Sequence, residues 1–405
     1  MSTVAPRPTL DARPQFLGGN QVRLLRGGDE LFPALVQAID AARHEVWLAT
    51  YIFHTDLAGE RIAQALGAAA ERGVQVRVVV DGFGAHSSLP RLVHWLKPQG
   101  VELAVFRPLT RWWNWLQPGQ LRRLHQKLCV VDGQVAFVGG INLIDDRNDL
   151  NHGRIDEPRL DFAVSLTGPT VAAVAQTVRA VWTRAAIGQD WRGEVRHLMH
   201  SAQPVSSVKQ LLRQLRILPK PLAPPDDDRP MRAAFVVRDN LRQRRAIEHT
   251  LIDAIRAARR RVDLVTPYFY PGRRFRRALV LAARRGVRVR LLLQGKLDYR
   301  LAGLAARGLY AELLAEGVEI HEYTPAFLHA KMALADDDWA TVGSSNIDPL
   351  SLLLNLEANL VVADPGFAAQ VAAEFDSAIA ASTHIVAPPA RGGPGGVVSR
   401  ALVAW

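Results

Sequence analysis

The chain has 405 residues, 48% hydrophobic and 22% charged, the composition of a globular protein with an ordinary core. A single cysteine, Cys129, excludes an intrachain disulfide framework and a cysteine-rich metal site, and no stretch approaches the ~20 apolar residues of a membrane span. The net charge of +11 points to polyanionic partners, nucleic acid or an anionic membrane surface, without choosing between them.

Residues 1–20 carry Pro6, Pro8 and Pro14 and lack the apolar run of a secretory signal, so a flexible N-terminus is expected there. From Ile39 to Thr50 an Ala-rich amphipathic helix gives way to a strand that ends in Tyr51-Ile-Phe53. A second helix and strand occupy Ala69 to Val80, with Gly73 as the helix stop. Gly100-Val-Glu102 opens another strand, and Leu109 to Arg123 forms an insert carrying Trp112, Trp113, Trp115 and Leu116 with three arginines. A linker follows over 191–230, rich in proline. Inside it Val208, Leu211, Leu212 and Leu215 fall at helical spacing with Lys209, Arg213 and Arg216 on other faces, a basic amphipathic helix fitted to a membrane interface or to its own protein.

The second half then repeats the first. Ile255–Thr266 matches Ile39–Thr50, Tyr268-Phe-Tyr270 matches Tyr51-Ile-Phe53, Ala282–Leu293 matches Ala69–Val80, and Gly317-Val-Glu319 matches Gly100-Val-Glu102. Agreements in this order mean duplicated α/β domains, 21–190 and 231–387, with a loose tail over 388–405.

The repeat delivers one constellation twice: His125-Gln-Lys127, Asp132 and Gly139-Gly-Ile-Asn142, then His329-Ala-Lys331, Asp336 and Gly343-Ser-Ser-Asn346. On a strand, His125 and Lys127 share a face. Asp132-Gly133 is a hairpin turn that brings Gly140 and Asn142 back toward His125. Small residues there (Gly140, Ser344 and Ser345) let a substrate phosphate approach the backbone. Each half thus presents an imidazole, an ammonium and an amide donor, and two halves facing each other supply an attacking base and a proton donor. Asp132 and Asp336 read as turn anchors. His44, His54, His94 and His321 fall in no metal-ligand spacing, and neither a metal nor another cofactor is required.

These residues resemble the phospholipase D superfamily, whose signature is His-x-Lys-x4-Asp-x6-Gly-Gly/Ser-x-Asn. Within it the chain is similar to bacterial cardiolipin synthases of the type without transmembrane segments, on Gly343-Ser-Ser-Asn-Ile-Asp-Pro349, Asn355-Leu-Glu-Ala-Asn359 and Asp161…Gly168-Pro169. The resemblance implies two α-β-α sandwich domains related by a pseudo-twofold axis, with the active site at their interface. It implies that one histidine attacks phosphorus and the other protonates the departing alcohol. By that resemblance the first-motif histidine, His125, is assigned the nucleophile's role and His329 the acid/base role, a choice the symmetry of the sequence leaves open. Lys127, Lys331, Asn142 and Asn346 hold the non-bridging oxygens. Glu357 stands where the family places an acid that orients an imidazole, and Asp161 is the candidate in the first half.

The same histidine pair serves nucleases, so the substrate is a separate question. The Trp- and Arg-rich insert beside His125 has an interfacial composition and favours lipid over nucleic acid. The expectation is a phosphatidyltransferase peripheral to the cytoplasmic face of a bacterial membrane, with phosphatidylglycerol as substrate. A phospholipase D or nuclease using water, and a non-catalytic binder of anionic membranes or nucleic acid, are the alternatives.

Overall fold

The structure, a computed structural model, describes residues 14–108, 122–150, 152–189, 215, 217, 229–239, 243–296, 307–348 and 355–387. The Trp insert over 109–121, the linker helix apart from Leu215 and Ile217, and the tail from 388 lie outside the described residues.

The first half runs β1 (Gln21–Arg26), α1 (Gly27–Asp40), β2 (Glu45–Thr50), α2 (Leu57–Glu71), β3 (Gln75–Asp81), α3 (Leu89–Leu96), β4 (Glu102–Phe106), β5 (Lys127–Val131) and β6 (Val135–Gly139). A short hairpin, β7 (Asn148–Asp149) and β8 (Gly153–Arg154), precedes β9 (Phe162–Thr167) and α4 (Val171–Gln189). The second half runs β10 (Arg232–Arg238), α5 (Ala246–Ala257), β11 (Arg261–Thr266), α6 (Arg273–Arg284), β12 (Arg288–Gln294), α7 (Tyr310–Ala315), β13 (Glu319–Tyr323), β14 (Met332–Ala335), β15 (Trp339–Gly343), β16 (Glu357–Ala363), α8 (Pro365–Ala380) and β17 (Thr383–Ile385).

The sheet orders are β1-β9-β6-β5-β2-β3-β4 and β10-β16-β15-β14-β11-β12-β13-β17, the same wiring twice with β17 added at one edge. Parallel strands β2 and β3 are near-continuous apolar runs because helices cover both sheet faces. On one face α1 to α3 bury Ile39, Leu66 and Leu92, and in the second half α5 to α7 bury Ile255, Leu279 and Leu313. On the other face α4 contributes Val174 and Val178, and α8 contributes Phe367 and Phe375, to one core shared by both halves. That shared core fixes the halves against each other and so sets the site between them. Gly73 and Gly286, at φ +88° and +86°, end α2 and α6 in the left-handed region that glycine adopts without strain.

Residues 17–20 depart from the expected flexibility. Leu17 exchanges both backbone hydrogen bonds with Ala233, Gly19 N–H donates to Pro230 O at 2.9 Å, and Asn20 Oδ1 accepts from Thr170 N–H at 3.0 Å. The segment is tied to β10 of the other half, a long-range pairing that local proline content does not reveal.

Asp132 (φ +51°) and Gly133 (φ +66°) make the hairpin turn between β5 and β6. The Asp132 carboxylate accepts from the backbone N–H groups of Arg43, His44 and Glu45 at 2.8–2.9 Å, and Asp336 does the same for Arg259, Arg260 and Arg261. Both aspartates stand at the far end of their strands from the motif histidines. Asp132→Ala is therefore expected to lower stability by about 2 kcal/mol, through lost charge-assisted bonds and an alanine at positive φ. Specific activity of the folded fraction should be unchanged. Chemical denaturation beside an activity assay checks this.

Candidate active site

The two halves meet through exchanged extended segments. His125 N–H donates to Leu356 O at 3.1 Å and Leu356 N–H to Arg123 O at 2.8 Å. Symmetrically, Leu160 N–H donates to Phe327 O and His329 N–H to Leu160 O, both at 2.9 Å. The residue after each of these leucines is an acid, and each acid is delivered to the histidine of the opposite half. His125 Nδ1 lies 3.0 Å from Glu357 Oε2, and His329 Nδ1 lies 2.6 Å from Asp161 Oδ2. Each dyad is thus completed only by both domains. The acid in the first half serves the second motif, a crossing that the repeat pattern does not disclose.

Both lysines are buried beside their histidines. Lys127 Nζ donates to His125 O at 2.8 Å, and Lys331 Nζ lies 2.8 Å from His329 Nδ1 and also donates to His329 O. Lys127 feels the charges of Lys331, Glu357 and Asp161, so one electrostatic cluster spans the interface. Asn142 is buried, and its Oδ1 accepts from Ile52 N–H at 3.3 Å, tying the loop after β6 to the chain leaving β2. Asn346 is buried at the equivalent place.

Gly140 and Ser344 differ from the expected phosphate-approach role, because the acids already occupy their space. A Cβ on Gly140 would fall 2.5 Å from Asp161 Oδ1, so only glycine leaves room for that carboxylate. Ser344 Oγ donates to Glu357 Oε2 at 2.5 Å and accepts from Ala358 N–H at 3.1 Å. Ser345 is likewise engaged, its Oγ donating to Asn346 O at 3.3 Å within the loop and its N–H to Asn359 Oδ1 of β16 at 3.4 Å. These residues set the acids, and the acids set the imidazoles.

Three contributors escaped the sequence reading. Asp81 Oδ2 accepts from Leu124 N–H at 2.8 Å, and Gln294 Oε1 accepts from Leu328 N–H at 3.0 Å. Each thereby holds the residue before a motif histidine. They occupy equivalent places, one residue past the matched runs that end at Val80 and Leu293; identity matching passes over them because one is Asp and the other Gln. Tyr51 packs its ring 5.1 Å from that of His125, with Lys127 Nζ 5.5 Å from the Tyr51 ring centre. Its place in the aromatic end of the first repeat strand was the available signal.

Burial dominates the protonation states. It lowers the proton affinity of His125 and His329, and the facing carboxylates do not fully offset it. Burial would raise Glu357 and Asp161, but His125 beside Glu357, and Lys331 with His329 beside Asp161, hold both below the ordinary carboxylate range. The resting site therefore pairs ionised acids with neutral imidazoles. Burial and mutual repulsion bring Lys127 down to about 7, and burial brings Lys331 down to about 8. A bound phosphate would reverse these shifts, because a nearby anion favours every protonated base. Binding of inorganic phosphate at pH 8 should accordingly take up about one proton or more. Calorimetry in two buffers of different ionisation enthalpy checks this. The lysines' share of the uptake should fade below pH 6, where both are already charged, while the share taken by the imidazoles persists, because burial keeps them neutral in the free site.

Among the described residues, no group of three or more His, Cys, Asp or Glu side chains could hold a metal ion, and no helix is long and apolar enough to cross a membrane.

The family model described as "Cardiolipin synthase, PLD-like domain" matches residues 35–155 and again 251–379, once in each half. Cardiolipin synthase B of Escherichia coli K12 is 36% identical over 369 residues, covering 91% of this chain and 82% of that protein. Cardiolipin synthase A of Pseudomonas putida F1 is 34% identical, covering 90% of this chain and 69% of that one. Among solved structures, phosphatidylserine synthase of Haemophilus influenzae superposes with a TM-score of 0.69 over 96% of this chain and 95% of that one, at 13% identity, which shows a shared fold.

Proposed function

The chain belongs to the cardiolipin synthase family of phospholipase D-like phosphatidyltransferases, and from that premise we propose that it moves a phosphatidyl group from phosphatidylglycerol to a lipid alcohol, releasing glycerol. The observation that carries this reading is the pair of crossed His–acid dyads converging with Lys127 and Lys331 at one interface. His125 Nε2 attacks phosphorus while His329 gives its proton to the departing glycerol oxygen, leaving a phosphohistidine. The incoming lipid hydroxyl then gives its proton to His329, attacks phosphorus and releases His125. Lys127, Lys331, Asn142 and Asn346 hold the non-bridging oxygens as charge builds. The neutral state of His125 suits a nucleophile, and the substrate's own charge lets His329 take up the proton it must donate. Work at the cytoplasmic face of a bacterial membrane is part of the proposal, supported by the net charge of +11 and the Trp- and Arg-rich insert.

Purified protein incubated with phosphatidylglycerol vesicles in a chelator should yield cardiolipin and glycerol. Phosphatidic acid in place of cardiolipin, or cleavage of DNA in a parallel digestion, would make water the acceptor and defeat the transferase reading.

A further inference from the structure

The two dyads share the imidazole–carboxylate contact but differ around it. Ser344 Oγ donates to Glu357 where Gly140 faces Asp161, and Lys331 Nζ lies 2.8 Å from His329 Nδ1 where Lys127 Nζ donates to His125 O. β10 runs antiparallel to β16, and Arg238 is the register partner of Glu357. Directly opposed residues of such a pair project on one face with Cβ atoms about 5 Å apart. Arg238 therefore stands on the strand next to the acid that holds His125, and its guanidinium feels the charge of Glu357. Arg238 is 0% exposed. Among the described residues none of its three nitrogens has a hydrogen-bond partner, and neither has Glu357 Oε1. A buried guanidinium without hydrogen bonds is costly, and what offsets it is the charge of Glu357, Asp348 and Glu248 around it. Burial brings it down only to about 10, so it is a cation at neutral pH.

The first half has no cation in this place. β1 pairs with β9 up to Arg26 and Phe162, and the next residue, Gly27, donates its N–H to Asp161 O at 2.9 Å. Gly27 thus stands where Arg238 stands. A Cβ there would fall 2.8 Å from Asp146 Oδ2, so the space behind Asp161 is taken by a second carboxyl, which accepts from Gly28 N–H at 2.5 Å. Burial and the charge of Asp161 push Asp146 up to about 7.

We propose that Arg238 is a positioning residue that makes the two histidines unequal: lying beside Glu357, it keeps His125 neutral as the nucleophile, so that the proton taken up with the anionic substrate goes to His329. The inference rests on the paired-histidine reaction above. In the unliganded site Lys331 Nζ, 2.8 Å from His329 Nδ1, opposes a proton on that ring. Once Lys331 is turned to the non-bridging oxygens of a bound phosphate, that repulsion is relieved. Lys127 and Lys331 face the His125–Glu357 pair, while Lys331 and Arg159 face the His329–Asp161 pair. Arg159 is itself paired with Asp149 at 3.0 Å, which discounts its field. With Lys331 engaged by phosphate, the charge differences left between the dyads are Arg238 on one side and Asp146 on the other.

Two measurements on the full-length protein decide the matter. In 15N-histidine spectra at saturating inorganic phosphate, His329 should be the imidazolium and His125 the neutral ring with its proton on Nδ1. Arg238→Met should raise the proton affinity of His125 by about one pH unit, and the acidic limb of kcat/KM should move to higher pH by the same amount. Arg238→Lys, which restores a cation, should bring the limb back. A wild-type spectrum with the proton on His125 overturns the proposal, whether or not the variant folds. An active Arg238→Met protein with reduced kcat and an unmoved acidic limb also overturns it, leaving Arg238 a packing residue. Wild-type protein that makes no product from phosphatidylglycerol would defeat the proposed reaction instead, and the spectra would still report where the proton resides.

Discussion

His125→Ala is expected to reduce turnover by roughly four orders of magnitude or more, since in the proposed reaction it removes the group that forms the covalent intermediate. His329→Ala should reduce turnover of phosphatidylglycerol as severely, for a different reason that a second substrate exposes. Glycerol leaves as an alkoxide unless it is protonated, whereas p-nitrophenolate leaves without help. On a p-nitrophenyl phosphodiester, His329→Ala should still release p-nitrophenol in a burst of about one equivalent per enzyme, because His125 can attack while the second step stalls for lack of a base. His125→Ala should show no burst. A burst from His125→Ala and none from His329→Ala would exchange the two assignments. No burst from either, with both proteins folded, would remove the covalent intermediate. Both substitutions leave an acid buried without its imidazole, so thermal unfolding must accompany the kinetics.

The duplicated constellation was legible because its requirements are local. Alternation along one strand puts His125 and Lys127 on a face, and Asp132-Gly133 can form the turn that follows. The repeat then does the same for His329, Lys331 and Asp336. The crossing of the acids was not legible, because it depends on Leu124 pairing with Leu356 and Leu160 with Leu328, contacts across the domain interface. Asp161 and Glu357 could be named as candidates but not assigned to a histidine. Gly140 and Ser344 were read as room for phosphate because small residues leave room for many things; only the packed site shows that acids fill it. Arg238 resembled any other arginine in this arginine-rich chain until the register of β10 against β16 put it beside Glu357.

The crossing carries the second large prediction. Asp161→Asn and Glu357→Gln keep size and shape while removing the charge that fixes each imidazole with its proton on Nδ1. Loss of the correct tautomer in a comparable His–carboxylate pair costs about 10⁴-fold, so a fall of roughly 10²- to 10⁴-fold is expected for each. The two losses should differ in kind. Asp161 lies in the first half but faces His329, so Asp161→Asn should impair protonation of the leaving group. Its burst with a p-nitrophenyl substrate should survive. Glu357 lies in the second half but faces His125, so Glu357→Gln should impair attack itself, and no change of leaving group should rescue it. Combining Asp161→Asn with His329→Ala should add little beyond His329→Ala alone, because the acid acts through that ring. Combining Asp161→Asn with His125→Ala crosses two separate functions, and there the single-substitution effects on residual turnover should come closer to multiplying. If Asp161→Asn instead abolished the burst while Glu357→Gln preserved it, each acid would serve the histidine of its own half in solution, and the exchanged segments would not be the working form of the site.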